Sequence, residues 1–277
     1  MNEQAVEIRR ILVALDASPH SRAALEAAAE LAARFHAVLR GLFVEDVRLL
    51  QLAQLPSSQE IGYFSASRRQ LDTTQIERQL RVQAKRARRA FALTVKQMQV
   101  ASEFHVTRGV VAAEVLAAVE DADLLVLGRA GWSRVLIKQL GSTARSALAA
   151  APNLMLIAPA GGRLGPPVQV LYDGSPAAEK SLLLAETLME EEQWLTILLL
   201  AGVAKLTALH HPVQALLCHR VNIEYQTLPQ SNVSRLLRLI AAKSTGLLIM
   251  PLHPASLTED ALLTLLPQIK MPVLLVR

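Results

Sequence analysis

One cysteine in 277 residues, Cys218, leaves no intrachain partner for a disulfide and excludes a cysteine-based metal cluster. Aromatic residues are almost as scarce, at 4% of the chain, while hydrophobic residues make up 52%. The core must therefore be built from Leu, Ala, Val and Ile, the residues that fill parallel sheets covered on both faces. No apolar run reaches the roughly 18 residues that a membrane helix needs. The polar start, residues 1–10, lacks the apolar centre of a signal peptide, so a cytoplasmic protein without membrane contact is expected. Also missing is a Gly-x4-Gly-Lys-Ser/Thr loop, which excludes a P-loop NTPase, and a Gly-x-Ser-x-Gly elbow, which argues against an α/β-hydrolase. His210, His211 and His219 lack a carboxylate at ligand spacing, and adjacent histidines on a helix diverge by about 100 degrees, so no metal site is expected.

What is present is organised in strand–helix alternation. The run from Arg10 to Asp16 is apolar and ends on an acid. Ser18 and Pro19 follow as N-cap and first helical residue, and alanines and leucines then recur at helical spacing to about Phe35. Val38 to Val44 reads as the next strand, giving a right-handed βαβ unit. Periodicity is lost from Glu45 to about Arg69, an expected exposed loop with a short helix at Val47 to Leu55. A long helix is expected from Thr74 to Gln97. Its stripe of Arg78, Arg81, Lys85, Arg88 and Arg89 reads as a solvated face in preference to a contact for RNA or an acidic partner, since no aromatics interleave to stack bases. Ser102 to Thr107 is expected as a strand, Ala112 to Glu120 as a helix, Leu124 to Leu127 as a buried strand, Thr143 to Ala150 as a helix and Leu154 to Ile157 as a fifth strand.

The net charge of +5 falls on the first part, where residues 1–160 hold about 20 Lys/Arg against about 15 Asp/Glu. Such an excess suits an anionic ligand but is too scattered to indicate nucleic acid. Residues 159–167, rich in Gly and Pro, read as a linker. The sequence then starts again. Val168 to Pro176 echoes Ile11 to Pro19 residue for residue, with Asp173 in the place of Asp16. Later runs at Leu195 to Leu200, Val221 to Thr227, Leu247 to Met250 and Met271 to Val276 follow the order of the first half. The expected division is a domain at 1–160, a linker at 161–167 and a shortened second domain at 168–277.

The stretch after Leu127 carries the chemistry. Gly128 and Gly131 close the strand, and Gly141, Ser142 and Thr143 open the next helix. Glycines let backbone N–H groups approach an anion, and a helix N-terminus adds its partial positive charge. A purely structural role is the competing reading, with the glycines in turns of positive φ.

With the two aspartate-ended strands and the repeat, the spacing Gly128-x2-Gly131-x9-Gly141-Ser142 resembles the ATP-binding motif of the universal stress protein family, here as a tandem two-domain member. The resemblance implies an α/β fold of two doubly wound, Rossmann-like domains, of the adenine nucleotide alpha hydrolase-like type, each with a five-stranded parallel sheet. It implies that Asp16 lies near the ribose, Val44 by the adenine, and Gly128, Gly131, Gly141, Ser142 and Thr143 at the phosphates. Arg129 and Lys138 lie inside the loop, where they either add charge to the site or stand in solvent without ligand contact. Asp16 also reads as no more than a cap for its turn. ATP is the expected ligand, with AMP or ADP as relatives, and Mg²⁺ accompanies ATP. The second half reads Pro251-Leu-His-Pro254 where the glycines stood, and proline has no N–H to offer. It is expected to bind no nucleotide and to serve as an intramolecular partner, with Leu154 to Ile157 packed on Val273 to Val276. A protein client and a homodimer stay open, as do an interaction scaffold with no ligand and a slow ATPase at the same site, for which no paired acid and base is visible.

Overall fold

The computed structural model describes residues 7–55, 59–61, 68–70, 72–131, 139–150, 152–190, 193–200, 213, 217, 222–228, 233–241, 246–254 and 257–277. The chain opens with β1 (Arg10–Leu15) and α1 (Pro19–Phe35). The Ser18 hydroxyl accepts from the Ser21 N–H at 3.1 Å, and Pro19 needs no partner at the first helical position. The inward face of α1 is mostly alanine, which lets the helix lie close on the sheet. β2 (Val38–Asp46) runs directly into α2 (Val47–Gln54), capped by Asp46. A hairpin of β3 (Gln59–Ile61) and β4 (Arg68–Gln70) stands where the sequence suggests only loop, because three-residue strands are too short to show alternation. α3 (Thr73–Met98) follows. Its outward cations are exposed, Arg81 pairs with Glu77, and the Arg88 guanidinium lies 5.2 Å from the Phe104 ring centre. This is a solvated face among the described residues.

β5 (Ser102–Gly109), α4 (Val111–Val119), β6 (Leu124–Gly128), α5 (Ser142–Ala150) and β7 (Leu154–Ala158) complete the first half. The second half runs β8 (Val168–Tyr172), α6 (Pro176–Leu188), β9 (Trp194–Leu200), β10 (Asn222–Leu228), α7 (Val233–Ala241), β11 (Leu247–Pro251), α8 (Glu259–Leu265), a 3-10 turn at Leu266–Gln268, and β12 (Val273–Val276).

Among the described residues, twelve strands form a hairpin and one ten-stranded sheet, in the order β10-β9-β8-β11-β12-β7-β6-β1-β2-β5. Each half contributes five parallel strands to this α/β fold, and the two sets join into one continuous sheet. Its neighbours are parallel except at the middle, where β12 and β7 pair antiparallel with Leu274 opposite Leu156. Outward from that seam the strand order reads the same way on both sides. Both cores cross the seam. On one face Val126 and Leu156 share a cluster with Val170, Ile249 and Leu274, and on the other Leu125 and Met155 share one with Leu248 and Leu275. Among the described residues no helix is long and apolar enough to cross a membrane.

Strand order also places the site. From β1 the chain winds outward to β2 and β5, then returns to the opposite side of β1 with β6. In open α/β sheets the crevice at such a reversal, beyond the carboxyl ends of the strands, takes ligands. Here it opens between Asp16 and Gly128.

Candidate functional site

A cavity of about 400 Å³ occupies that crevice, lined by the ends of β1, β2 and β6, the loop to Gly131, the start of α5, and side chains of α2, α3 and α4. Such a volume suits a small organic ligand. Asp16, Val44, Gly128, Gly131, Gly141, Ser142 and Thr143 all face it.

Asp16 holds its turn and borders the cavity. Its Oδ1 accepts from the Ser18 N–H at 2.9 Å, and its own N–H donates to Ser21 Oγ at 3.1 Å. The same turn recurs at Asp173, whose Oδ1 accepts from Ser175 N–H at 3.0 Å. The fixed carboxylate puts Oδ2 beside Gly131. A Cβ at Gly131 would stand 2.9 Å from that oxygen.

None of the three motif glycines has a positive φ, so the reason for glycine here is close approach, not a left-handed turn. At Gly128 a Cβ would stand 2.8 Å from the His20 carbonyl carbon, which is backbone and cannot swing aside. Gly128→Ala is expected to cost about 1–3 kcal/mol of stability in chemical denaturation, as overpacked sites do. Gly141 differs, because among the described residues its Cβ would meet nothing closer than 3.5 Å. Packing alone tolerates a methyl there.

Gly141 is the N-cap of α5, since its carbonyl accepts the first helical bond, from Arg145 N–H at 3.0 Å. A glycine cap offers no side-chain oxygen to the first-turn amides, which helix geometry leaves without partners inside the helix. The residues that carry them, from Ser142 to Ala144, line the cavity. The matching helix of the second half is closed by contrast. Thr258 Oγ1 accepts from the Ala261 N–H at 3.2 Å, and Glu259 and Asp260 sit in the first turn. Leu252 is buried there, between Pro251 and Pro254.

Arg129 goes elsewhere than its loop position suggests. Its backbone N–H donates to Ala158 O at 2.8 Å, and its guanidinium crosses to the second half, donating to Ile269 O at 2.8 Å. It does not line the cavity, and burial lowers its pKa. A carbonyl just after the 3-10 turn captures it, which correction no local pattern announces. Lys138 lies outside the described residues.

His20 sits behind Gly128 and accepts at Nδ1 from the Ala160 N–H at 2.8 Å. Burial and then the Arg129 charge lower its pKa, with Asp16 opposing. The unfolded chain takes that proton more readily. The histidine's contribution to stability is therefore present above about 6.5, its ordinary value, and is lost as pH falls through the depressed one. The denaturation midpoint is expected to fall on acidification, and to fall less in His20→Gln. Equal acid sensitivity in the two proteins would remove His20 from that account.

Residues of α2, α3 and α4 complete the walls: Arg48 and Leu49, Leu80 and Gln83, and Val111, Ala112 and Val115. Sequence spacing gives no sign of them, because elements far apart along the chain bring them together. β2 also outruns β1. The β1 pairing ends at Phe43, while β2 continues to Asp46 against β5, so one backbone edge at Val44 faces the cavity.

A model of the universal stress protein family matches residues 7–159. Among solved structures, a universal stress protein from Archaeoglobus fulgidus aligns over 99% of this chain and 99% of its own, with a TM-score of 0.67 and 15% identity. Another, from Pseudomonas aeruginosa, aligns over 98% of this chain and 94% of its own, at 0.52 and 12% identity. At such identities the likeness is one of fold. No curated protein matches the sequence.

Proposed function

The chain belongs to the universal stress protein family, and we propose that its first half binds ATP or a related adenine nucleotide while its second half binds none. The observation that carries this reading is the start of α5. Its first-turn amides, left open by the Gly141 cap, form an anion site at one end of a cavity that turns apolar at the other, near Leu42, Val44, Leu80 and Val115. From β6 across β1 to β2 is about 10 Å, two strand spacings, on the scale of a nucleoside monophosphate. Phosphates sit by Gly131, Ser142 and Thr143, the ribose by Asp16, and the base by Val44.

Among the described residues no group of three or more His, Cys, Asp or Glu is placed to hold a metal. A Mg²⁺ ion therefore travels with the phosphates, keeping phosphate oxygens and waters as ligands, as Mg²⁺ commonly does, with the Asp16 carboxylate beside Gly131 of the loop. The second half acts as a partner that completes the sheet. Its Thr258-capped helix, with two carboxylates in the first turn, repels phosphate.

Mass spectrometry of small molecules released from natively purified protein tests the reading. An adenine nucleotide at up to one per chain is expected. Protein that carries none, and whose denaturation midpoint does not rise with added ATP or AMP, would contradict it.

A further inference from the structure

We infer that Gln83 reads the base of the bound nucleotide and sets a preference for adenine; this rests on the nucleotide reading above. Gln83 projects from α3 into the cavity. α3 packs on α1, α2, β2 and β5, which places the residue on the β2 side, away from the α5 amides that take the phosphates. Leu42, Val44, Leu80 and Val115 give the cavity apolar surface, with Asp46 and Arg48 also in its lining. Gln83 is only partly exposed, and its amide has no hydrogen-bond partner among the described residues. Two other polar residues line that end, Asp46, which uses Oδ1 to cap α2 through the Arg48 N–H at 2.9 Å, and Arg48, whose side chain is a donor only.

An amide in this position offers one acceptor and two donors. Adenine presents an N–H donor at N6 beside a ring-nitrogen acceptor, and a glutamine side chain matches that edge with two hydrogen bonds. Of the described side chains at that end only Gln83 offers a donor and an acceptor together, so those two bonds distinguish the base, and a base edge left unpaired against the apolar neighbours loses its hydration without return. A carboxylate in the same place offers acceptors only. It suits guanine, whose N1 and N2 present adjacent donors.

The test is calorimetric titration of the full chain with ATP and with GTP, for the wild type, Gln83→Leu and Gln83→Glu. Denaturation curves establish that all three are folded. The wild type is expected to prefer ATP. Gln83→Leu should weaken ATP roughly ten- to a hundredfold, the worth of a bidentate pair, and bring the two nucleotides close to parity. Gln83→Glu should invert the preference toward GTP. An unchanged ATP-to-GTP ratio across the three proteins overturns the role of Gln83 and leaves the nucleotide site standing, even if both affinities fall together, as they would for a merely structural residue. A wild type that binds neither nucleotide overturns the site, and this inference with it.

Discussion

Leu156→Asp is expected to unfold both halves of the chain together. Leu156 is fully buried in β7, opposite Leu274 of β12 and beside Val126 of β6. The cluster around it holds side chains from both halves. Removing the leucine alone would cost about 2–5 kcal/mol, and a carboxylate left there without a partner adds the desolvation of a charge. The sum approaches the whole stability of an ordinary domain, about 5–15 kcal/mol. Leu156→Ala, the gentler variant, should keep the fold with a lower midpoint and a single cooperative transition by calorimetry. Two transitions, only one of them shifted, would show that the halves fold independently and that the shared core is not cooperative.

Gly141→Ala is expected to weaken ATP binding at least tenfold while changing stability by less than about 1 kcal/mol, the scale of exchanging one N-cap residue for another. Among the described residues the added methyl meets nothing closer than 3.5 Å. In the proposed site it would stand where a phosphate approaches the first-turn amides of α5. Gly128→Ala behaves in the opposite way, because its methyl meets the His20 backbone and the cost falls on folding first. The pair separates the two explanations of a glycine-rich loop, a demand of the fold and a demand of the ligand.

Much of the fold was legible in the residues. Ser18-Pro19 and Ser175-Pro176 marked two helix starts, and both serines cap as their type predicts. The apolar runs ending at Asp16 and Asp173 gave the first strand of each half. The strands expected to pack together, at Leu154 and Val273, meet as β7 and β12. Apolar runs do not say which edges join, so one sheet of ten strands was not visible as such. In the site, glycine spacing located the loop and offered two reasons for it, close approach of backbone N–H groups to an anion or turns of positive φ; the structure shows no positive φ at the three glycines, backbone crowding at Gly128 and a fixed carboxylate at Gly131. Positive φ occurs nearby at Ala17, +60°, where the second half has Gly174 at +80°. Arg129 was misplaced because its partner, Ile269 O, lies 140 residues away and is a backbone atom without a sequence signature. The walls supplied by α2 and α3 were hidden for the same reason. They depend on how the segment after β2 folds back, and its residues show no period that predicts it.

The most direct measurement is calorimetric titration of nucleotide-free protein with ATP, read for stoichiometry. One site per chain in the wild type, and at least tenfold weaker binding in folded Gly141→Ala, are the results predicted by an open helix start in the first half and a Thr258-capped one in the second. No binding by the wild type, two sites per chain, or equal affinity in the two proteins would contradict it.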